Sequence, residues 1–294
     1  MVFLTGGTGF IGRAILRALA ARGEPVRVLV RPGHEGRLPA VPGLEARSGD
    51  VTDAASLTGA VAGCDAVVHL VGIIRETRGV SFQDVHVRGT ENVLAEAARA
   101  GVKRFVHMSA LGTRPGAATA YHRTKWAAEE AVRSSGLDFV IFRPAPVFGP
   151  GDQLFMYLAS VLRWTPVMPV FGSGDYPMQP IHVDDVAEYF VRAVRQPGVG
   201  GQTFEIGGPD VFTYRDALKI IMQASHRRRP MIRVPAGPLL GLLPLLEWLP
   251  GLPITHDQLV MLMEGSTCSD DRVHEVFPMA LRRFQPEMER ILAR

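Results

Sequence analysis

A serine, a tyrosine and a lysine in the middle of the chain have the spacing of a proton-transfer site. Tyr121 and Lys125 are four residues apart, so on a helix their side chains share one face. Ser109 lies twelve residues before the tyrosine, at the end of a run with strand character. A lysine cation lowers the pKa of a neighbouring phenol from about 10, which makes proton transfer accessible. We predict that Ser109, Tyr121 and Lys125 are catalytic, with the serine holding a carbonyl or hydroxyl oxygen.

The second candidate site is a glycine-rich turn near the N-terminus, with the sequence Gly6-Gly7-Thr8-Gly9-Phe10-Ile11-Gly12. Gly6 permits a tight turn, Gly9 lets the backbone approach a pyrophosphate, and Gly12 allows close packing of a helix on a strand. The phosphates would face the N-terminus of the helix that starts here. In the first strand-to-helix turn of an alternating chain, this spacing predicts a dinucleotide site.

The end of the second predicted strand indicates which dinucleotide fits. An acid there would bond the adenosine ribose and repel a 2′-phosphate, but the chain has Leu29-Val30-Arg31. Arg31, with Arg13 just after the glycine turn, could pair with a 2′-phosphate. Either arginine could instead be a solvated surface side chain. We favour NADP(H) as the cofactor, with NAD(H) as the alternative.

A further acid follows the third predicted strand, in Gly49-Asp50-Val51. Asp50 stands where it could hold the amino group of an adenine. It could equally stabilise a turn or cap a helix beside Asp53, because short acids commonly bond nearby backbone amides. The residue types leave both interpretations open.

The elements that position these residues follow an alternating pattern. Short β-branched runs alternate with longer helical patterns, which predicts βαβ units and a parallel sheet. The predicted strands are Val2–Thr5, Val26–Val30, Leu44–Arg47, Ala66–Val71, Arg104–Met108, Phe139–Phe142 and Thr203–Ile206. The predicted helices are Phe10–Ala21, Asp53–Ala62, Ser81–Ala100, Ala118–Ser135 and Asp184–Arg195.

A change of pattern after Arg143 marks a second lobe, because prolines and glycines break the alternation there. We predict an α/β fold with a doubly wound parallel sheet of Rossmann type in residues 1–149 and 181–207. A smaller, mostly helical C-terminal lobe would comprise residues 150–180 and 208–294. Its large apolar side chains could form a core or line a lipophilic pocket; they are Phe155, Met156, Tyr157, Trp164, Met168, Phe171 and Met178.

The segment 234–253 is almost wholly apolar and follows a basic cluster, Arg227–Arg229 with Arg233. Five prolines and Glu247 interrupt it, which argues against a membrane-spanning helix. We predict a helix that packs within the lobe. The alternative is a surface that contacts a membrane or a lipophilic ligand.

The composition is that of a globular protein, with 294 residues of which 47% are hydrophobic. A net charge of +3 argues against a nucleic-acid partner. The cysteines, Cys64 and Cys268, and the nine histidines lack metal-ligand spacing, so we expect no metal. We expect no signal peptide ahead of Val2 and a cytoplasmic protein, with peripheral contact at the inner face of a membrane as the alternative.

The chain resembles the short-chain dehydrogenase/reductases, specifically their extended and atypical branches. The resemblance rests on TGGTGFIG, Gly49-Asp50-Val51, His69-Leu70-Val71-Gly72, Gly89-Thr90-Glu91-Asn92-Val93, Ser109 with YHRTK, Arg143-Pro144 with Val147-Phe148-Gly149-Pro150-Gly151, and Ile181-His182-Val183-Asp184-Asp185-Val186. It implies that Ser109, Tyr121 and Lys125 form the catalytic group and that Lys125 also binds the nicotinamide ribose. The other cofactor contacts that we expect are the ribose-lining Val71 and Gly72, the nicotinamide neighbours Pro144 and Val147, and Val51, Leu70 and Met108.

More narrowly, the chain resembles the atypical subgroup that includes the Rossmann-like accessory subunit of respiratory complex I and its bacterial relatives. The runs HLVGI, VHVRGTENV and PITHDQL carry this resemblance. His86 and Phe148 stand where sugar-nucleotide epimerases usually carry asparagine and tyrosine, which argues against a nucleotide-sugar substrate. We predict an NADP(H)-dependent oxidoreductase or epimerase-like enzyme acting on a small molecule, for which a lipophilic or quinone-like compound is one candidate. The alternative is a non-catalytic dinucleotide-binding assembly or membrane-associated subunit.

Overall fold

The computed structural model describes residues 1–246 and 254–293. Its strands, numbered in chain order, are β1 Val2–Thr5, β2 Val26–Val30, β3 Leu44–Ser48, β4 Ala66–His69, β5 Arg104–Met108, β6 Asp138–Pro144, β7 Val147–Phe148, β8 Met168–Phe171, β9 Pro177–Met178, β10 Ile181–His182, β11 Gln202–Ile206, β12 Phe212–Thr213 and β13 Met231–Val234. Its helices are α1 Phe10–Ala21, α2 Gly89–Arg99, α3 Ala120–Arg133, α4 Phe155–Trp164, α5 Val183–Arg195, α6 Tyr214–Ala224, α7 Ala236–Leu246, α8 His256–Glu264, α9 Arg272–Val276 and α10 Phe284–Leu292.

Within the described residues, seven parallel strands form one sheet in the order β11-β6-β5-β4-β1-β2-β3. The strands on either side of β1 are β2 and β4, so the strand order reverses there, as in a doubly wound sheet. Every residue of β1 and β4 is buried, which agrees with their continuous apolar character. The predicted α/β doubly wound fold is confirmed. Because the strands are parallel, the loops that follow β1, β4, β5 and β6 emerge at one edge of the sheet.

The chain forms two compact units. Unit 1 contains Met1–Pro144, Val183–Ile206 and Asp270–Met279, and unit 2 contains Ala145–His182, Gly207–Ser269 and Ala280–Arg294. Residues 270–279, which the sequence analysis assigned to the second lobe, therefore lie with the sheet. The ring of Phe277 packs 5.7 Å from that of Phe142 and 5.5 Å from that of Phe204. These aromatic contacts explain why so late a segment joins unit 1.

Three predicted elements differ from those observed. The predicted helix Asp53–Ala62 is wrong, because only a 3₁₀ turn over Ala54–Leu57 forms and Gly59 then adopts a φ of +73°. The fourth strand ends at His69 rather than at Val71. The predicted helix Ser81–Ala100 begins with π-helical turns over Gln83–Arg88 before α2 continues it.

The large apolar side chains of unit 2 divide between its core and its surface. Phe155, Met168 and Met178 are buried in one hydrophobic cluster with residues of α6 and α10. They fill the core, so the lipophilic pocket proposed for the whole set is not formed by them. Tyr157 and Trp164 are instead exposed.

The apolar segment 234–253 is described only as far as Leu246. Its helix α7 packs mainly against α8, but of its described residues only Ala236 and Leu243 are buried. Residues 247–253, which include Glu247, lie outside the described residues. None of the helices in the described part of the chain has the length and apolar character needed to cross a bilayer.

Candidate active site

Glycines line the turn that leads into the N-terminus of α1. Gly6 has a φ of +80°, which favours glycine, and its carbonyl accepts a hydrogen bond from the Gly9 amide at 3.0 Å. A Cβ on Gly12 would lie 2.2 Å from the Gly6 oxygen, so only glycine fits there. Gly9 caps α1 without a side-chain hydrogen bond, and the first turn of the helix contains no acid. This cradle suits a pyrophosphate, which the first amides and the helix dipole would bind.

Two arginines flank this turn and its neighbouring strand. Arg13 lies in the first turns of α1, and Arg31 follows the end of β2; both are exposed. Within residues 1–246 and 254–293, neither guanidinium forms an ion pair. Thr8, Phe10 and Ile11, which complete the predicted set at the turn, are half-buried. The arginines are therefore available to an anionic group of a ligand.

Asp50 stabilises its own turn. Its Oδ1 accepts hydrogen bonds from the Thr52 amide at 2.9 Å and from the Thr52 hydroxyl at 2.8 Å. The turn interpretation of Asp50 is thus observed, whereas its role toward adenine stays a prediction. The neighbouring Val51 packs its side chain into the core, and its carbonyl accepts from Asn92 at 2.9 Å.

Lys125 is the buried centre of the second group of predicted residues. Its Nζ donates to the carbonyl of Met108, the last residue of β5, at 2.8 Å, and Ser109 follows directly. A Cβ on Gly72 would lie 3.3 Å from Nζ, so the loop after β4 also contacts the amine. Leu70 is buried and Val71 half-buried in that loop.

Ser109 is held by backbone at the edge of the sheet. Its amide donates to the Phe142 carbonyl at 2.8 Å, and its hydroxyl donates to the Thr113 hydroxyl at 3.3 Å. Two residues later, the Leu111 amide donates to the Pro144 carbonyl at 2.9 Å, so Pro144 adjoins the serine loop. Val147, which was predicted with Pro144, belongs to unit 2.

Burial shifts the pKa of the lysine and of the tyrosine in opposite directions. Desolvation lowers the pKa of Lys125 to about 8, against a smaller raising effect of the Glu129 carboxylate. Desolvation raises the pKa of Tyr121 to about 12. This direction is opposite to the lowered phenol pKa expected from the sequence, because burial takes the phenolate out of water. Lys125 itself is poised to exchange a proton near neutral pH.

His86 supports this site in a way that its sequence position did not reveal. The Thr124 hydroxyl lies 2.9 Å from the Ala120 carbonyl, to which it donates its single proton. With that donor it accepts from Nδ1 of His86 at 2.9 Å, and Nε2, which lies 3.0 Å from both the amide nitrogen and the carbonyl oxygen of Ile73, then accepts from the amide. Burial and then the Lys125 charge lower the pKa of His86 to about 3, so the ring is neutral.

The neutral His86 joins two elements of the site. It ties the loop after Gly72 to α3 between Tyr121 and Lys125, and its ring packs edge-on against the Tyr121 ring at 5.4 Å. His86 lies in π-helical turns, which are frequent at functional sites. The only signal in the sequence was a histidine in place of the asparagine of the epimerases.

A second buried histidine fastens the ends of β1 and β4 together. His69 lies across from Thr5, and its Nδ1 is 2.8 Å from the Thr5 hydroxyl. The Thr90 hydroxyl donates to the His86 carbonyl at 2.6 Å, so it accepts from Nε2 of His69 at 3.1 Å. Within the described part of the chain, no group of histidine, cysteine and carboxylate side chains is arranged to hold a metal ion.

The geometry combines a pyrophosphate cradle with a buried lysine, a tyrosine and a serine, and the family comparison agrees with it. The family model described as NAD dependent epimerase/dehydratase family matches residues 2–207. The chain belongs to this family.

Two relatives of this epimerase/dehydratase chain carry the names of a respiratory subunit and of an enzyme. It is 30% identical over 268 residues to the mitochondrial NADH-ubiquinone oxidoreductase 40 kDa subunit of Neurospora crassa, covering 87% of this chain and 70% of that protein. It is 32% identical over 240 residues to the ceramide reductase of Caulobacter vibrioides, covering 80% of this chain and 74% of that protein. The chain spans 59% of the length of a similar Arabidopsis thaliana NADH dehydrogenase subunit.

The fold of this epimerase/dehydratase chain recurs in solved structures. The structure described as MoeE5 in complex with UDP-glucose and NAD matches with a TM-score of 0.80 and 20% identity, over 99% of this chain and 97% of that one. At 20% sequence identity, this similarity is evidence for a shared fold alone.

The His86 assignment predicts different outcomes for two isosteric substitutions. In His86→Gln the amide oxygen can replace Nε2 as acceptor for the Ile73 amide, whereas in His86→Asn the side chain reaches only Thr124. An unpaired buried amide costs about 1–3 kcal/mol. We expect hydrogen exchange at the Ile73 amide to be at least tenfold faster in His86→Asn than in His86→Gln. Equal protection in the two variants would contradict the assignment.

The lowered pKa of Lys125 predicts a pH dependence of folding stability. The folded chain releases this proton near pH 8, whereas the unfolded chain holds it to about pH 10.5. Between these values the unfolded state binds more protons, so the free energy of unfolding rises by about 1.4 kcal/mol per pH unit. Urea unfolding should show this rise in the free energy of unfolding of the wild type relative to Lys125→Met. Below pH 7 the difference between the two proteins should be constant. If the free energy of unfolding of the wild type instead fell relative to that of the variant between pH 8 and 10.5, the assignment would be refuted.

Proposed function

We propose that the chain is an NADP(H)-dependent oxidoreductase that interconverts a carbonyl and a secondary alcohol on a lipophilic small molecule. The observation that carries the proposal is the position of Lys125. Its buried amine bonds the last carbonyl of β5 immediately before Ser109, one helical turn after Tyr121. A buried lysine with a lowered pKa beside a tyrosine is a group suited to proton transfer.

Each residue of this group has a distinct role in the proposed reduction. The Ser109 hydroxyl turns its proton from the Thr113 hydroxyl to the substrate carbonyl oxygen and so orients the substrate. Tyr121 Oη delivers a proton to the same oxygen as the alcohol forms, and the Lys125 ammonium stabilises the resulting phenolate. When bound, a reduced nicotinamide supplies the hydride that the carbonyl carbon accepts. The reverse reaction uses the same groups in the opposite order.

The preference for NADP(H) rests on the charges around the adenosine end of the cradle. Arg13 and Arg31 are exposed and unpaired within the described residues, and no acid follows β2 directly. Guanidinium groups bind phosphate in a bidentate manner, so the pair suits a 2′-phosphate. The matching family model is described as NAD dependent, so the preference for NADP(H) rests on the arginines of this chain.

A lipophilic substrate is supported by two observations. Ile74 is 46% exposed and directly follows Ile73, whose amide bonds His86, so an exposed apolar side chain lies in the same loop as Gly72. The Caulobacter relative is named a ceramide reductase, which indicates a lipid substrate for that protein. Exposed apolar groups beside a reaction centre favour a substrate that covers them.

A second candidate function is a non-catalytic, cofactor-binding subunit of a larger assembly. It is favoured by the similarity to the NADH-ubiquinone oxidoreductase 40 kDa subunit. The complete Ser109, Tyr121 and Lys125 set favours the enzyme, because an assembly subunit has no need of a proton donor.

Tyr121→Phe separates these candidates. We expect the wild type to oxidise NADPH in the presence of long-chain ketones, faster than with short-chain ketones of the same head group. Removal of the phenol proton should lower the single-turnover rate at least hundredfold, because general acid catalysis contributes about 10²–10⁴-fold. NADPH affinity should change less than threefold. A wild type that binds NADPH and reduces no ketone would favour the assembly subunit, and an equal rate in Tyr121→Phe would refute the assigned proton donor.

A further inference from the structure

Unit 2 presents a surface on which apolar and basic side chains are exposed together. Trp164 is 82% exposed, Ile232 50%, Leu242 49% and Leu245 69%. Single exposed apolar residues are common, but several large ones close together mark an interaction site. With Arg227, Arg228 and Arg233, we call these side chains the basic apolar surface.

Hydrogen bonds hold the parts of this surface next to one another. Nε of Arg229 donates to the Thr165 carbonyl at 3.0 Å, directly after Trp164. The Met168 amide donates to the Pro230 carbonyl at 2.9 Å, and β8 and β13 then pair in parallel. Helix α7 begins two residues after β13. Trp164, residues 227–230, β13 and α7 therefore lie in adjoining segments of unit 2, and the side chains of Ile232 and Arg233 leave opposite faces of β13.

Helix α7 is more apolar than a helix exposed to water normally is. Its eleven residues, AGPLLGLLPLL, include no charged or polar side chain, and only Ala236 and Leu243 are buried. A helix that is apolar all round is normally covered on all sides. With half of Leu242 in solvent, the exposed side of α7 requires an apolar partner.

The charges beside this helix identify the partner. Arg227, Arg228 and Arg233 are exposed and form no ion pair with any described residue, and no acid occurs between His226 and Leu246. The missing partner is therefore both apolar and anionic. A bilayer that contains anionic phospholipid has both properties, since it accepts tryptophan and leucine at the acyl boundary and arginine at the headgroups.

We propose that unit 2 binds the surface of an anionic phospholipid membrane through the basic apolar surface. The binding is peripheral: α7 and Trp164 enter the interface, and the arginines contact the headgroups. It requires neither cofactor nor turnover, so it stands independently of the proposed function.

Vesicle binding by the full-length chain tests this proposal. The probes are large unilamellar vesicles of phosphatidylcholine with 30% phosphatidylglycerol, and of phosphatidylcholine alone, at low salt. We expect flotation only with the anionic vesicles, loss of binding at high salt, and a blue shift of tryptophan emission. Trp164→Phe should reduce that shift, since the Trp126 ring, which stacks with the guanidinium groups of Arg133 and Arg143 in unit 1, is the same in both proteins. Trp248 lies outside the described residues and is likewise present in both.

Charge variants provide the matched control. Each arginine near an anionic surface contributes about a fivefold gain in partitioning, so Arg227→Gln with Arg228→Gln should weaken binding roughly 25-fold. Arg17→Gln with Arg37→Gln removes two exposed arginines from unit 1 and should change binding less than twofold. Equal losses in the two pairs, equal binding to neutral vesicles, or no binding to either would overturn the proposal. Sedimentation that shows a dimer without vesicle binding would assign the surface to a second copy of the chain.

Discussion

The candidate site depends on one buried hydrogen bond, from the amine of Lys125 to the Met108 carbonyl. This bond fixes α3 against the end of β5 and so sets where Tyr121 stands relative to Ser109. The neighbouring turn of α3 reinforces it, because the buried Glu129 carboxylate accepts from Arg143 on β6 at 2.7 Å. A lone buried amine is unfavourable, and this arrangement tolerates it by letting the amine lose its proton near pH 8.

The parallel sheet supplies the other half of the arrangement. Because β1, β4 and β5 run side by side in one direction, the glycine turn, the Gly72 loop and Ser109 leave the sheet at the same edge. His69 fastens the first two strand ends, and His86 fastens the Gly72 loop to α3. Both rings are neutral because burial lowers their pKa values to about 3. The two histidines therefore brace the site without adding charge to it, and the charged groups beside it are Lys125 and the Glu129–Arg143 ion pair.

Local signals in the sequence predicted much of this frame. The strand Val2–Thr5, the glycine turn and the helix Phe10–Ala21 follow from apolar runs and glycine spacing, and they form as predicted. The shared face of Tyr121 and Lys125 follows from helical periodicity alone. The hydrogen bonds of His86 could not be predicted, because its partners Ile73 and Thr124 are 13 and 38 residues away in sequence.

Other features also depended on tertiary structure. The raised pKa of Tyr121 comes from burial, which a spacing pattern does not contain. The failed helix at Asp53–Ala62 has apolar spacing, but the left-handed Gly59 ends it after one turn. The core positions of Phe155 and Met168 are likewise a property of unit 2 as a whole, since composition alone allowed both a core and a pocket.

Calorimetric titration of the wild-type chain with NADPH and with NADH tests the central claim most directly. The account predicts one dinucleotide per chain, with NADPH binding at least tenfold tighter than NADH because Arg13 and Arg31 would pair with the 2′-phosphate. Tighter binding of NADH would contradict the role given to Arg13 and Arg31. A folded chain that binds neither dinucleotide would contradict the account as a whole.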